Sequence, residues 1–257
     1  MTPRRSFTFL PLLVIAVSAI CPSAAHCEEL RLPFQLGKTY EYRVSGEMGG
    51  SEKFTVVDAT GPDDVKRFKL TSKLDIKAPN GAFRRHNTSY TFDAKGRACS
   101  YTGEQEAYFP DLPGETGKEQ FYFRFSDGTV DVKIDHLGRP TWQALIRNLP
   151  PEGVPAIDQD CISHLALAVA MNSLGDDKPK GSAMLFSFKR RELVQMSFKF
   201  RVSDKRKLWR SVEEMSKFSY YVYDVSTGGF WIRRADSLLV SLANESVTVV
   251  VDLIPPE

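Results

Sequence analysis

The clearest signal in this sequence is the alternation of hydrophobic and polar residues from Tyr40 onward. Tyr40, Tyr42 and Val44 alternate with Glu41 and Arg43, so residues of one kind share one side of an extended chain. This period of two is typical of antiparallel strands with one buried face and one solvated face. Further strand-like runs are Phe54–Val56, Phe68–Ile76, Met184–Phe188, Met196–Val202, Phe218–Tyr223, Phe230–Ile232, Leu238–Val240 and Val247–Val251.

Residues typical of tight turns separate these runs, at places where hairpins would reverse. The candidate turns are Gly49-Gly50, Gly61-Pro62-Asp63, Pro79-Asn80-Gly81, Ala94-Lys95-Gly96 and Ser126-Asp127-Gly128. Their spacing is close to that of a β-meander, a sandwich or an open barrel.

The pattern changes in the middle of the chain. Residues 140–148 are predicted to form a short helix, with Trp142, Leu145 and Ile146 on one side. The prolines of residues 149–155 exclude a helix or a central strand, so this segment is a linker or a loop.

The segment Cys161–Leu174 is predicted to be a longer helix, because it is rich in aliphatic residues and Gly175 follows it. It is apolar on almost every side, which favours burial against the sheet. We therefore predict an all-β, mainly antiparallel fold, a wrapped sheet or open barrel with one buried α-helix. Residues 28–257 form one domain in this prediction, and a division into two lobes near residues 149–180 is the alternative.

The first 27 residues have the layout of a secretory signal peptide. Arg4 and Arg5 precede an apolar run over residues 7–20, and small residues follow it. The run is about 14 residues long and contains a proline, whereas a membrane-spanning helix needs about 20 residues. We predict cleavage after Ala25 or Cys27, no transmembrane segment in the remaining chain, and a periplasmic or secreted protein.

The charge balance makes nucleic acid an unsuitable partner. The chain has 34 Lys and Arg and 32 Asp and Glu. The predicted leader holds Arg4 and Arg5 and no acidic residue, so 32 of each sign remain after its removal. A nucleic-acid-binding protein needs an excess of basic side chains to replace counterions, and this chain lacks one.

Cys99 and Cys161 are the two cysteines outside the leader. In an oxidising compartment such a pair often forms a disulfide, and closing a loop of about 60 residues would contribute about 4 kcal/mol. We predict a disulfide between them. The alternative is two separately buried thiols.

No motif in the chain specifies a reaction, so no catalytic residue, metal ligand or cofactor is predicted. Cys161 and His164 share a helix face but lack the further ligands of a zinc site. Asp131 and Asp135 lie near His136 and could orient its imidazole, but no nucleophile motif accompanies them. The sequence thus favours a protein that is not an enzyme, although the two carboxylates of a hydrolase can be distant in sequence.

The strands around residues 121–125 and 220–223 carry more aromatic side chains than one buried face requires. A helix on one face and a second sheet on the other would explain this excess, and so would a concave surface that holds a hydrophobic molecule. The predicted ligand-binding residues are Phe121, Phe123, Phe125, Phe198, Phe200, Tyr221 and Tyr223.

Three segments carry a resemblance to a known family: Pro33–Tyr42, the proline-rich loop with the helix start over residues 150–165, and Gly229–Asp236. They resemble the opening strand, the loop and helix start, and the closing strands of exported bacterial proteins catalogued as domain of unknown function 3108. The resemblance spans most of residues 33–253 and implies an all-β envelope protein without an established activity. The architecture is also similar, by analogy, to the half-barrels of periplasmic lipoprotein carriers.

These observations predict a non-enzymatic exported protein that binds a lipid, an acyl chain or an envelope protein. A hydrolase of envelope polymers is the first alternative. The second is a structural or assembly partner whose edge strands pair with another chain.

Overall fold

The computed structural model describes residues 34–95, 97–111, 113, 116–126, 128–147, 180–187, 192–208, 210–222, 225–236, 238–244 and 249–254. Within these ranges the chain forms fourteen β-strands. They are β1 (Thr39–Gly46), β2 (Gly49–Asp58), β3 (Arg67–Lys77), β4 (Phe83–Asp93), β5 (Ala98–Tyr108), β6 (Gly117–Ser126), β7 (Thr129–His136), β8 (Trp142–Arg147), β9 (Lys180–Ser187), β10 (Glu192–Leu208), β11 (Ser211–Val222), β12 (Val225–Arg233), β13 (Leu239–Asn244) and β14 (Val249–Leu253).

All fourteen strands belong to one antiparallel sheet, in the order β8-β7-β6-β5-β4-β3-β2-β1-β14-β13-β12-β11-β10-β9. Consecutive strands pair throughout, except that β8 and β9 are the two edges. The first and last strands also pair, with Tyr42 of β1 opposite Leu253 of β14. This is the order of an up-and-down barrel that is open between β8 and β9, and we call this opening the seam. The predicted antiparallel all-β fold is confirmed.

The alternation in the sequence becomes an alternation of burial. In β3, Phe68, Leu70, Ser72, Leu74 and Ile76 are buried and the residues between them face solvent. Because side chains along a strand point to opposite faces, the side chains of the main core share one face of the sheet, which we call the inner face, and the other is the outer face. A smaller buried cluster of Leu208, Met215 and Val240, with Trp231 packed against it, lies apart from this main core.

The inner face carries a continuous hydrophobic core built largely from aromatic rings. The rings of Tyr42 and Phe54 stack at 5.5 Å between centroids, and those of Phe218 and Phe230 at 5.2 Å. The hydroxyl of Tyr42 donates a hydrogen bond of 2.7 Å to the carbonyl oxygen of Leu239 in β13. Burial holds the pKa of Tyr42 well above its ordinary value. This bond ties β1 to β13 inside the core.

Most predicted turns connect strands as expected. In the β3–β4 turn the amide of Ala82 donates to Asn80 Oδ1 at 3.1 Å. The prediction for Gly49-Gly50 is wrong, since both residues belong to β2 and the turn lies at residues 47–48. Gly50 allows the backbones of β2 and β3 to approach closely, because a Cβ at this position would lie 2.1 Å from the carbonyl oxygen of Asp75 in β3.

The prediction of a helix over residues 140–148 is wrong, because Trp142–Arg147 forms the edge strand β8. Trp142, Leu145 and Ile146 fit a helical period, but Trp142 and Ile146 also fit a period of two. Pairing with β7 puts these two on the inner face and leaves Leu145 54% exposed on the outer face. Sheet pairing therefore outweighs the local pattern.

Three sequence predictions fall outside the described residues. They are the signal peptide over residues 1–27, the proline segment over residues 149–155 and the helix Cys161–Leu174. The last two lie within residues 148–179, which connect the edge strands β8 and β9.

Candidate functional site: the inner face beside the seam

Three of the predicted ligand-binding aromatics are packed inside the core. Phe121, Phe123 and Phe198 are only 4%, 1% and 2% exposed. The ring of Phe121 stacks on Tyr101 at 5.0 Å, and the ring of Phe198 meets Phe230 edge-on at 6.2 Å. These side chains hold the sheet together and have little surface left for a ligand.

Phe125 and Phe200, from the same predicted set, also point to the inner face but are only half-buried. Trp142 and Ile146 of the edge strand β8 are half-buried on the same face. Phe200 belongs to β10, which neighbours the other edge strand. Phe125 on β6 and the two residues of β8 lie on one side of the seam, and Phe200 on β10 lies on the other. We call these four half-buried residues the seam cluster.

Tyr221 lies on the other side of the sheet. It follows Tyr220, which is 1% exposed in the core, and consecutive residues of a strand face opposite ways. The Tyr221 hydroxyl accepts a hydrogen bond from the guanidinium of Arg201, which also donates to Ser219 Oγ at 2.9 Å. Tyr223 falls outside the described residues. The predicted set therefore does not form one surface, and Tyr220, Phe230 and Trp142 are inner-face aromatics that it omitted.

A β-bulge explains a related error at the end of the predicted run from Phe198 to Val202. In the pairing of β10 with β11 the register shifts between Phe200 and Val202. The extra residue, Arg201, turns the following side chains over, so Val202 is 45% exposed on the outer face. Neither residue type nor spacing signals this bulge in the sequence.

A row of polar side chains crosses the inner face, and sequence reasoning missed it. The row has one residue on each strand from β2 to β7, and each residue lies directly opposite the next. Five of the six are polar, and the sixth is Leu74 of β3. The members are Glu52, Leu74, His86, Gln105, Glu119 and His136. We call this set the polar row.

At one end of the polar row, Ser72 joins a carboxylate to an imidazole. Its hydroxyl donates to Glu52 Oε1 at 2.7 Å, and its oxygen lies 3.3 Å from His86 Nε2. The side chains of His86 and Glu52 are 5% and 12% exposed. Each of these buried polar groups thus has a partner, as burial requires.

At the other end, Glu119 accepts from Gln105 Nε2 at 2.6 Å and lies 2.9 Å from His136 Nδ1. Gly117 makes room for this imidazole, because a Cβ there would come within 2.7 Å of His136 Cε1. Asp135, considered from the sequence as an orienting group, faces the other way and bonds Lys133 and Thr141. The acid that orients His136 is Glu119.

This geometry does not supply a serine nucleophile. A hydroxyl has one proton, and that of Ser72 is directed to Glu52, so His86 Nε2 can only donate to Ser72. A general base would have to accept that proton instead. Ser72, Glu52 and His86 therefore form a set of buried groups that satisfy one another.

The fold is similar to that of a solved structure. A beta-barrel-like protein of the domain-of-unknown-function family DUF1849 from Brucella abortus matches with a TM-score of 0.54 and 7% sequence identity, covering 84% of this chain and 94% of that chain. At this identity the likeness shows the fold alone, a barrel-like β-sheet. No family model matches the chain, and no curated protein matches it. The resemblance to domain of unknown function 3108 stays a prediction.

The remaining site predictions concern the cysteines and metals. Cys99 is half-buried in β5, and burial raises the pKa of its thiol. Cys161 and His164 lie outside the described residues, so the disulfide stays a prediction. In the part of the chain that the structure describes, no group of three or more His, Cys, Asp or Glu side chains could hold a metal ion. No helix in that part is long and apolar enough to cross a membrane.

Proposed function

We propose that this is a non-catalytic exported protein that binds an acyl chain or a similar apolar molecule at the seam. The observation that carries the proposal is the contrast in burial on the inner face. Phe121, Phe123 and Phe198 are closed in, whereas Phe125 and Phe200 keep accessible surface near the open edge. Apolar side chains that stay accessible at the opening of a sheet provide a surface for an apolar ligand.

The energetics of such a site need no charged contact. Burying one methylene group contributes about 0.8 kcal/mol before the entropic costs of binding. Micromolar affinity corresponds to about 8 kcal/mol, so an acyl chain of ordinary length suffices.

The proposal of export rests on the leader-like residues 1–27. An oxidising compartment would also suit the predicted Cys99–Cys161 disulfide. The resemblance to the exported family catalogued as domain of unknown function 3108 points to the same compartment.

The hydrolase alternative has less support. It requires a nucleophile or a general base whose reacting atom can reach a substrate. Glu52, His86 and Ser72 satisfy one another inside the core, and Glu119 is occupied by Gln105 and His136.

Mass spectrometry of the purified protein tests the proposal. Under native conditions we expect an added mass of one lipid or fatty acid, which is lost under denaturing conditions. Refolded, lipid-free protein should then bind a fatty acid, and Phe200→Ser should weaken that binding because it removes an aromatic contact of the seam cluster.

Val202→Ser is the matched control, because Val202 lies two residues away and faces outward. It should bind the fatty acid as the unsubstituted protein does. Lipid-free protein that takes up no fatty acid would contradict the proposal and favour the assembly alternative, in which edge strand β8 pairs with an envelope protein.

A further inference from the structure

The outer face of strands β2–β5 carries a groove of about 440 Å³ on the side of the sheet away from the core. The groove is lined by a row of hydroxyl side chains, one on each of the four strands, and each lies directly opposite the one on the neighbouring strand. The row is Thr55, Thr71, Ser89 and Thr102. Neighbouring strands are about 4.8 Å apart, so the hydroxyls repeat at roughly the length of one pyranose ring.

The row continues into an aromatic side chain. Tyr122 of β6 lies directly opposite Thr102 and is 43% exposed. A sugar ring has polar edges and C–H groups on its faces, so it can bond to hydroxyls and also lie against an aromatic ring. Tyr122 does not line the groove itself, but it extends the hydroxyl row by one strand, so a ligand longer than the groove could make both kinds of contact.

Two lysines line the same groove and lie directly opposite each other, Lys53 on β2 and Lys73 on β3. Like charges in this position destabilise an antiparallel pair. Lys53 is paired with Glu41 at 2.9 Å. Lys73 forms no ion pair with any residue that the structure describes, and its other cross-strand neighbour is the neutral Asn87. Among the residues that the structure describes, the Lys73 ammonium thus lines a hydroxyl-rich groove without a carboxylate partner.

We propose that this groove binds a glycan that carries an anionic substituent. The hydroxyl row and the Asn87 amide bond the sugar hydroxyls, Tyr122 contacts a ring face, and Lys73 binds the anion. Its volume lies in the range of about 300–1,000 Å³ that is usual for ligand sites. The site is on the opposite face of the sheet from the seam cluster, so this proposal goes beyond the acyl-binding function and does not depend on it.

The test uses the full chain and dextran sulfate oligosaccharides as the probe. We expect saturable binding that shifts the backbone amide NMR signals of Thr71, Lys73 and Ser89. Lys73→Gln should raise Kd about tenfold, the usual consequence of losing one hydrogen bond to a charged group. Thr71→Val, which keeps the shape of the side chain, should also weaken binding.

Lys69→Gln is the matched control, since Lys69 is an exposed outer-face lysine on the same strand that does not line the groove. It should leave Kd unchanged apart from a small screening effect. Equal losses in the Lys69 and Lys73 variants would show diffuse charge attraction and overturn the proposal. Neutral dextran that binds as tightly as dextran sulfate would also overturn it, and so would an absence of binding.

Discussion

The two halves of the inner face are built differently. Strands β2–β7 pair in regular register apart from one shift between β4 and β5, and their inner side chains form straight rows across the sheet. Strands β10–β13 contain a register shift in each of their three pairings. A bulge displaces one strand by a residue and so breaks any row that crosses it.

This difference explains where buried polar groups can exist. In the regular half, Glu52, Ser72 and His86 come together because register aligns them, and the same holds for Glu119 and His136. The bulged half has a mostly aromatic and aliphatic inner face, with Phe198, Phe218 and Phe230 in contact. Regular register permits a polar network, whereas bulges favour packing that needs no partner of fixed position.

The largest expected effects test whether the two halves share one core. Phe230→Ala in the bulged half and Phe123→Ala in the regular half should each lower the free energy of unfolding by about 3–5 kcal/mol, since both rings are fully buried. Urea denaturation measures this. If Phe123→Ala lowers the free energy of unfolding by less than half as much as Phe230→Ala does, ring packing contributes less in the regular half. The polar row would then supply stability that we assign to packing.

The next largest effect concerns the fit of the polar row. Gly117→Ala should destabilise the protein by about 1–3 kcal/mol, because the new methyl group meets the His136 ring and the backbone there has φ of +152°. Gly49→Ala is the control, with nothing within 4 Å of the added Cβ, and should be close to neutral. Equal thermal shifts for the two variants would contradict the close fit of His136.

A smaller effect separates the polar contacts of the two halves. Ser72→Ala removes the donor to buried Glu52 and should cost about 1–3 kcal/mol, the penalty for leaving a buried polar group without that bond. Ser203→Ala in the bulged half removes a contact of 3.3 Å to Ser216 and a solvent-exposed hydrogen bond of 3.1 Å from Arg234. Because water can replace the exposed bond, the cost should be less than about 1 kcal/mol. The reverse order in denaturant titrations would show that the row is not a cooperative network.

The smallest effect concerns a loop of the regular half. Two hydrogen bonds of 2.7 Å from Arg67 lower the pKa of Asp63 to about 2. A carboxyl group whose pKa is lowered on folding stabilises the protein at pH values above its ordinary pKa of 3.8. This stabilisation is lost as the pH falls toward 2. Since Asp63 is exposed, the change in stability should be slight. NMR titration should show its pKa returning toward 3.8 in Arg67→Gln; an unchanged value would refute the pairing.

The same contrast shows how far the sequence could predict the structure. Alternation placed Phe68, Leu70 and Ile76 on the buried face correctly, because β3 is regular. It failed at Val202, because the bulge at Arg201 turns the following side chains of β10 over. It also chose Tyr221 instead of Tyr220, because the two tyrosines are consecutive and their residue type does not show which one faces the core. The helix predicted around Trp142 failed because its apolar residues fit both periods and pairing with β7 decided between them.

The candidate site was predictable only in part. Phe125 and Phe200 could be identified by their residue type and position in a strand. Trp142 could not, because its place at the edge depends on the order of all fourteen strands. The polar row was also out of reach, since Glu52 and His136 become part of one row only through five successive pairings. Such pairings depend on long-range register, which local pattern does not encode.

Fluorescence quenching at Trp142 tests the central claim most directly. The chain has three tryptophans, Trp142, Trp209 and Trp231, so two Phe substitutions leave either Trp142 or Trp231 as the only emitter. Trp142 belongs to the seam cluster. Trp231 lies on the other side of the sheet, packed against buried Leu208, Met215 and Val240, with the Arg206 guanidinium 3.6 Å from its ring centroid. A brominated fatty acid quenches only at close range. We predict saturable quenching in the Trp142-only protein and none in the Trp231-only protein, and equal quenching of both, or none of Trp142, would contradict acyl binding at the seam.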